Sequence, residues 1–129
     1  MLRRPVFTMH KLLTGRHVLV VEDEVMVRLL IEVMLENLGC QSVTAAATID
    51  QALDWIEKQT FDAAVLDVNL NGQKSYPVAD ALAARGVPFV FSTGYSEHGM
   101  NDGYSDRPAL KKPFREKELE AAMAPLFPH

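Results

Sequence analysis

The sequence predicts an α/β fold, a five-stranded parallel sheet with helices on both faces. Three observations lead there. Short β-branched apolar runs recur along the chain, apolar residues at three- and four-residue spacing lie between them, and the two patterns alternate from residue 17 onward. Alternation of that kind is what βα units produce. Right-handed crossovers then leave few ways to wind the sheet.

The first run, HVLVV at His17–Val21, is apolar throughout, as suits a strand covered on both faces. Val27, Leu30, Ile31, Met34, Leu35 and Leu38 follow as one helical stripe, closed by Gly39. A weaker strand is expected over 41–45. Thr48 and Gln51 make a capping box for a second helix, whose stripe is Ile49, Ala52, Leu53 and Ile56. Trp55 lies beside that stripe and is read as packing. DAAVL at 62–66 is the third strand and ends at Asp67. Residues 69–76 read as a loop with the turn signal Asn71-Gly72. Pro77 suits the first position of a third helix that runs to Arg85 and stops at Gly86. PFVFS at 88–92 is the fourth strand, ending at Thr93-Gly94. Residues 95–107 are expected to be a mobile loop or a short irregular helix. Gly99 and Gly103 weaken a helix, Asn101, Asp102, Ser105 and Asp106 favour turns, and only Met100 and Tyr104 offer apolar surface. Residues 108–111 make a short fifth strand. After Pro113 a last helix turns Leu119, Ala122, Met123 and Leu126 inward, and Pro125 disturbs its final turn.

Composition agrees with one domain. A chain of 129 residues that is 48% hydrophobic can fill one core and is unlike a disordered sequence. A net charge of −4 gives no reason to expect nucleic acid or an anionic membrane as partner. No apolar run is long enough to span a bilayer. Cys40 is the single cysteine, which excludes an internal disulfide, fits a reducing cytoplasm, and reads as a buried structural thiol. Residues 1–15 read as an N-terminal extension and 16–129 as the domain. Arg3, Arg4 and Lys11 make the extension basic, and Pro5, Thr8 and His10 interrupt any signal-peptide stretch.

Polar residues gather at the strand ends. Glu22 and Asp23 end the first strand, Asp67 the third, Thr93 the fourth and Lys112 the fifth. Open α/β sheets bind ligands beyond the carboxyl ends of their strands, so these five are expected to converge. Three carboxylates in one cleft repel one another, and a divalent cation removes the conflict. Magnesium takes oxygen ligands and keeps waters. Asp23 and Asp67 would ligate it directly, Glu22 through water, with a backbone carbonyl near Asn69. A carboxylate beside that ion is a nucleophile for a phosphoryl group. Lys112 and Thr93 would supply the ammonium and hydroxyl that such a group needs, and Gly94 room and a backbone N–H.

This set resembles the receiver domains of two-component response regulators, over about residues 16–127. The resemblance implies a flavodoxin-like (βα)5 doubly wound sheet with strand order 2-1-3-4-5. It implies Asp67 as phosphoacceptor, Glu22, Asp23 and the Asn69 carbonyl as magnesium partners, Thr93 as switch hydroxyl, and Lys112 as phosphate-binding lysine before a cis Pro113. The protein would then be a cytoplasmic signalling switch, catalysing only its own phosphotransfer and slow dephosphorylation. Its partners would be a sensor histidine kinase or a histidine phosphotransfer protein, and a downstream protein. One departure stands out. The family usually has an aromatic three positions before the lysine, and here that residue is Ala109. The run Phe91-Ser92-Thr93-Gly94-Tyr95 is similar to the "FAT GUY" subgroup, which works with HWE-type kinases, and it draws Tyr95 and the 95–107 segment into the expected switch.

Other readings fit less well. An aspartate-nucleophile phosphatase would need a second aspartate where Asn69 stands. A flavodoxin-like cofactor binder would need a Ser/Thr/Gly phosphate loop where Glu22-Asp23-Glu24 stand. A receiver fold that has lost phosphotransfer would not need the intact acid, threonine and lysine set. The four histidines share no metal-ligand spacing and sit in no kinase-like helix.

Overall fold

The structure, a computed structural model, describes residues 11–94, 104 and 108–128. The elements are β1 (His17–Val21), α1 (Val25–Asn37), β2 (Ser42–Ala46), α2 (Ile49–Lys58), β3 (Ala63–Asp67), β4 (Asn69–Leu70), β5 (Gln73–Lys74), α3 (Tyr76–Ala84), β6 (Phe89–Thr93), β7 (Ala109–Lys111) and α4 (Glu116–Met123). A 3-10 turn, Ala124–Leu126, follows where Pro125 denies the helix an amide donor. The main sheet is parallel with order β2-β1-β3-β6-β7. Once the small hairpin β4-β5 is set aside, that is the expected order 2-1-3-4-5. The segment 95–107, expected as a mobile loop or short irregular helix, lies, Tyr104 apart, outside the described residues.

Local chemistry explains the elements. Thr48 caps α2 by accepting from the Gln51 amide, and the Gln51 side chain accepts from Ala47, one residue short of a full capping box. The strands expected at 41–45, 62–66 and 88–92 each sit one residue later. The amide of Asp62 still bonds to the sheet, while its carboxylate accepts from the His17 amide at 2.8 Å and so ties the start of β1. The loop expected at 69–76 begins with the β4-β5 hairpin. Asn71 and Gly72 both have positive φ, 54° and 85°, as a two-residue hairpin turn with the right twist requires. Pro77 stands at the second position of α3 rather than the first. Cys40 is half-buried, and its thiol donates to the carbonyls of Arg16 and Ser42, a structural role.

Side-chain alternation builds two cores. Leu19, Val21, Ala64, Leu66, Phe89 and Phe91 face α2 and α3. Val18, Val20, Ala63, Val65, Val90 and Leu110 face α1 and α4. Trp55, at 38% exposure, stays outside both. Among the described residues no helix is long and apolar enough to cross a membrane.

Candidate functional site

The same alternation sets the site. Two residues beyond Val20, Val65, Val90 and Leu110 stand Glu22, Asp67, Ser92 and Lys112, all on the face toward α1 and α4. Glu22 is 0% exposed and Asp67 3%. The Lys112 ammonium donates to Glu22 Oε1 and Asp67 Oδ2, both at 3.1 Å. To do so its side chain leaves the edge strand and crosses β6 to reach β3 and β1. The other carboxylate oxygens are held by backbone. The Asn69 amide donates to Asp67 Oδ1 at 3.2 Å, and the Glu24 amide to Glu22 Oε2 at 3.1 Å. The Arg28 guanidinium reaches back from α1 to the Glu22 carbonyl at 3.0 Å. The Lys112-Pro113 bond is cis, as the resemblance implied.

Burial dominates the electrostatics. It pushes the Glu22 carboxyl up from 4.5 to about 7, with the charge of Asp67 adding to the effect, against the Glu24 amide and Lys112. Asp67 is likewise raised by burial, more than Lys112 and the Asn69 amide draw it down. Burial works against the Lys112 ammonium, yet Asp67 and Glu22 outweigh it and its pKa lies above the ordinary value. One lysine therefore does not relieve the carboxylates fully.

Glu22, Asp23 and Asp67 present carboxylate oxygens within 4.8 Å of one another. Among the described residues they are the cluster able to hold a metal ion. An all-oxygen donor set with residual repulsion suits a hard divalent cation such as magnesium. The cleft above holds about 350 Å³ and is lined by Asp23, Glu24, Asp67, Asn69, Asn71, Gly72, Gly94 and Lys112. A Cβ at Gly94 would meet nothing within 4 Å, so the space there opens onto the cleft.

The structure thus brings together Glu22, Asp23, Asp67, Asn69, Gly94 and Lys112. Thr93 sits at the same strand end, the last residue of β6 and half-buried. It does not line the cleft, and it meets Lys112 through its carbonyl, which accepts the Lys112 amide at 2.8 Å. Tyr95 lies outside the described residues, as does nearly all of 95–107. Tyr104 is the exception, and the structure shows where its apolar surface goes. It is 8% exposed, stacked on Tyr76 at 5.7 Å, and set edge-on to Phe89 and Phe91 at 6.0 and 5.7 Å. Its hydroxyl donates to Asp80. Three aromatics in two other segments supply the apolar surface that a local count of 95–107 could not see. Sequence reasoning also missed Glu24, Asn71 and Gly72 as cleft lining. The turn signal pointed toward Asn71 and Gly72, and the acidic run Glu22-Asp23-Glu24 toward Glu24.

Residues 18–124 match the family model described as "Response regulator receiver domain". The chain belongs to that family, which is one of signalling switches in two-component systems. Among solved structures it is similar to SdrG from Sphingomonas melonis Fr1, with 44% identity and a TM-score of 0.79 over 91% of this chain and 98% of that one. It is also similar to the receiver domain of the sensor histidine kinase PA1611 from Pseudomonas aeruginosa PAO1, solved with magnesium in its active-site cleft. There the identity is 30% and the TM-score 0.75, over 88% of this chain and 98% of that one. A probable transcriptional regulator, ycf27 of Cyanophora paradoxa, is 31% identical over 87% of this chain and 48% of its own length. The chain spans about half the length of the curated relatives it matches.

Proposed function

We propose that Asp67 accepts a phosphoryl group from a phosphohistidine and that the resulting acyl phosphate switches the protein's partners. The observation that carries this is the buried Asp67 carboxylate at the end of the central strand, 3.1 Å from Lys112 and clustered with Glu22 and Asp23. An Asp67 oxygen attacks phosphorus, the P–N bond breaks, and the imidazole leaves with the electron pair. Asp23 and Asp67 directly, Glu22 through water and the Asn69 carbonyl would hold magnesium. Magnesium would offset the charge on the phosphoryl oxygens and lower carboxylate repulsion. Lys112 turns to the phosphoryl oxygens, and Thr93, Gly94 and Tyr95 respond at the end of β6. The domain is residues 16–129, with 1–15 as an extension. It works in the cytoplasm as an output regulator, relay or phosphate sink, and catalyses no more than its own phosphotransfer and dephosphorylation.

The donor is a sensor histidine kinase, of the HWE type by the 91–95 motif, or a histidine phosphotransfer protein. The surface beside the cleft fits a helix carrying the phosphohistidine. Met26, Leu29, Leu30 and Val33 are exposed on α1, and an apolar groove between α1 and Pro113-Phe114 opens next to Gly94 and Lys112. Incubation with acetyl phosphate and magnesium, reductive trapping and mass spectrometry should place one label on Asp67. Asp67→Ala should carry none, and labelling of that variant at the wild-type rate would overturn the assignment.

A further inference from the structure

Ser92 is 1% exposed, and its hydroxyl finds no hydrogen-bond partner among the described residues. Proteins carry few such groups, because a buried unpaired hydroxyl is costly. Its place is specific. Ser92 is the register partner of Asp67 on one side and of Leu110 on the other, and it shares their face. Lys112 reaches Asp67 and Glu22 only by crossing β6, and Ser92 is the β6 residue on that face at that level. The hydroxyl therefore lies in the row of Glu22, Asp67 and Lys112. In that row Asp67 Oδ2 already accepts from Lys112, and Oδ1 from the Asn69 amide.

We propose that Ser92 is a positioning residue of the phosphorylation site, whose hydroxyl donates to the Asp67 acyl oxygen once Lys112 has turned to the phosphoryl group. The inference rests on Asp67 as phosphoacceptor. It follows from where Lys112 stands, since its ammonium crosses β6 to Asp67 Oδ2 along the side on which Ser92 lies. While Asp67 is ionised, the ammonium makes the stronger, charge-assisted bond and the neutral hydroxyl is left out. Phosphorylation moves negative charge from the carboxyl to the phosphoryl oxygens. Lys112 follows the charge and leaves an acyl oxygen beside Ser92. The Ser92 hydroxyl, on the neighbouring strand in register with Asp67, then donates to that oxygen. The unpaired hydroxyl disfavours the unphosphorylated arrangement and its pairing favours the phosphorylated one, so both effects shift the population the same way.

The test separates stability from ligation. Urea unfolding without magnesium, and the affinity for beryllofluoride with magnesium as a phosphoryl mimic, are measured on wild type, Ser92→Ala and Ser92→Thr. Ser92→Ala should unfold at the same or a higher urea concentration, since it removes an unpaired group. It should bind beryllofluoride about fivefold more weakly, one hydrogen bond's worth. Ser92→Thr keeps the hydroxyl and should hold the wild-type affinity. A Ser92→Ala protein that is less stable without ligand, or that binds the mimic as wild type does, would overturn the role of Ser92. Failure of wild type itself to form an adduct on Asp67 would overturn the phosphoacceptor reading, a distinct result.

Discussion

At the carboxyl end of the sheet the two faces hold opposite kinds of chemistry. Toward α1 and α4 the strands finish in Glu22, Asp67, Ser92 and Lys112, a row of buried charge and one unpaired hydroxyl. Toward α2 and α3 the residues one step away are Phe89 and Phe91, and Tyr76 and Tyr104 close over them. Burying charge costs stability, whereas burying aromatic rings supplies it. The first face carries that cost, and the second holds the strand ends in place. Since neighbouring residues of β6 belong to different faces, a change at Asp67 has a short route to the aromatic side through Ser92 and Thr93.

Substitutions on the two faces should therefore have opposite signs. The largest effect belongs to the aromatic side. Tyr104→Ala removes a ring held by three others and should lower unfolding free energy by about 3 kcal/mol. It should still take a label on Asp67, and loss of that label in a folded protein would show that the faces are not separable.

Next comes ligand binding on the charged side. Magnesium at about 100-fold over its dissociation constant should add about 2.7 kcal/mol. Asp23→Asn should lose most of that gain, and an unchanged gain would remove Asp23 from the ion.

Metal-free stability should also depend on pH, through Glu22. Its folded pKa of about 7 lies above the ordinary 4.5, so the folded protein holds a proton that the unfolded chain has released. The contribution of Glu22 is then fully present below about pH 4.5 and is lost as pH rises through about 7. Glu22→Gln, which cannot ionise, should flatten that decline and be the more stable protein at pH 8. A decline of equal slope in the variant would assign it to other groups.

The sequence showed the two faces unequally. Glu22, Asp67 and Lys112 were legible because each ends a strand that its own apolar run defines, and order 2-1-3-4-5 then brings the ends together, whereas Ser92 was not singled out. The electrostatics of the row were not legible. That Lys112 bonds both Glu22 and Asp67, and that Glu22 is wholly buried, depends on how far a flexible side chain reaches across the sheet. Thr93 was assigned to the same cluster from its strand end, and the structure ties it to Lys112 through its backbone carbonyl. The aromatic side was hardly legible. Tyr76 looked like a loop residue and Tyr104 like an isolated ring, and nothing in the local pattern pairs residues 28 positions apart. Ala109, exposed on the edge strand in register with Phe91, marks where an aromatic was expected, and Tyr104 packs on Phe91 instead.

The smallest predicted effect concerns how Tyr104 is held. Its ring is buried, but its hydroxyl donates to Asp80, an exposed residue of α3. A hydrogen bond that water can replace on one side contributes little, so Tyr104→Phe should cost about 1 kcal/mol, far less than loss of the ring. Asp80→Ala should cost about the same. If the two groups bond mainly to each other, the double variant should cost no more than either single one, giving a coupling of about 1 kcal/mol. Additive losses would mean that each group has another partner and that the ring alone fixes Tyr104. The variant also sharpens the comparison between faces. Tyr104→Phe keeps the ring and removes the hydroxyl that donates to Asp80 on α3. If beryllofluoride still binds Tyr104→Phe as tightly but no longer alters amide exchange along α3, the hydroxyl is what carries the change from β6 to that helix. Identical exchange in variant and wild type would leave the transmission to ring packing through Tyr76 and Phe91.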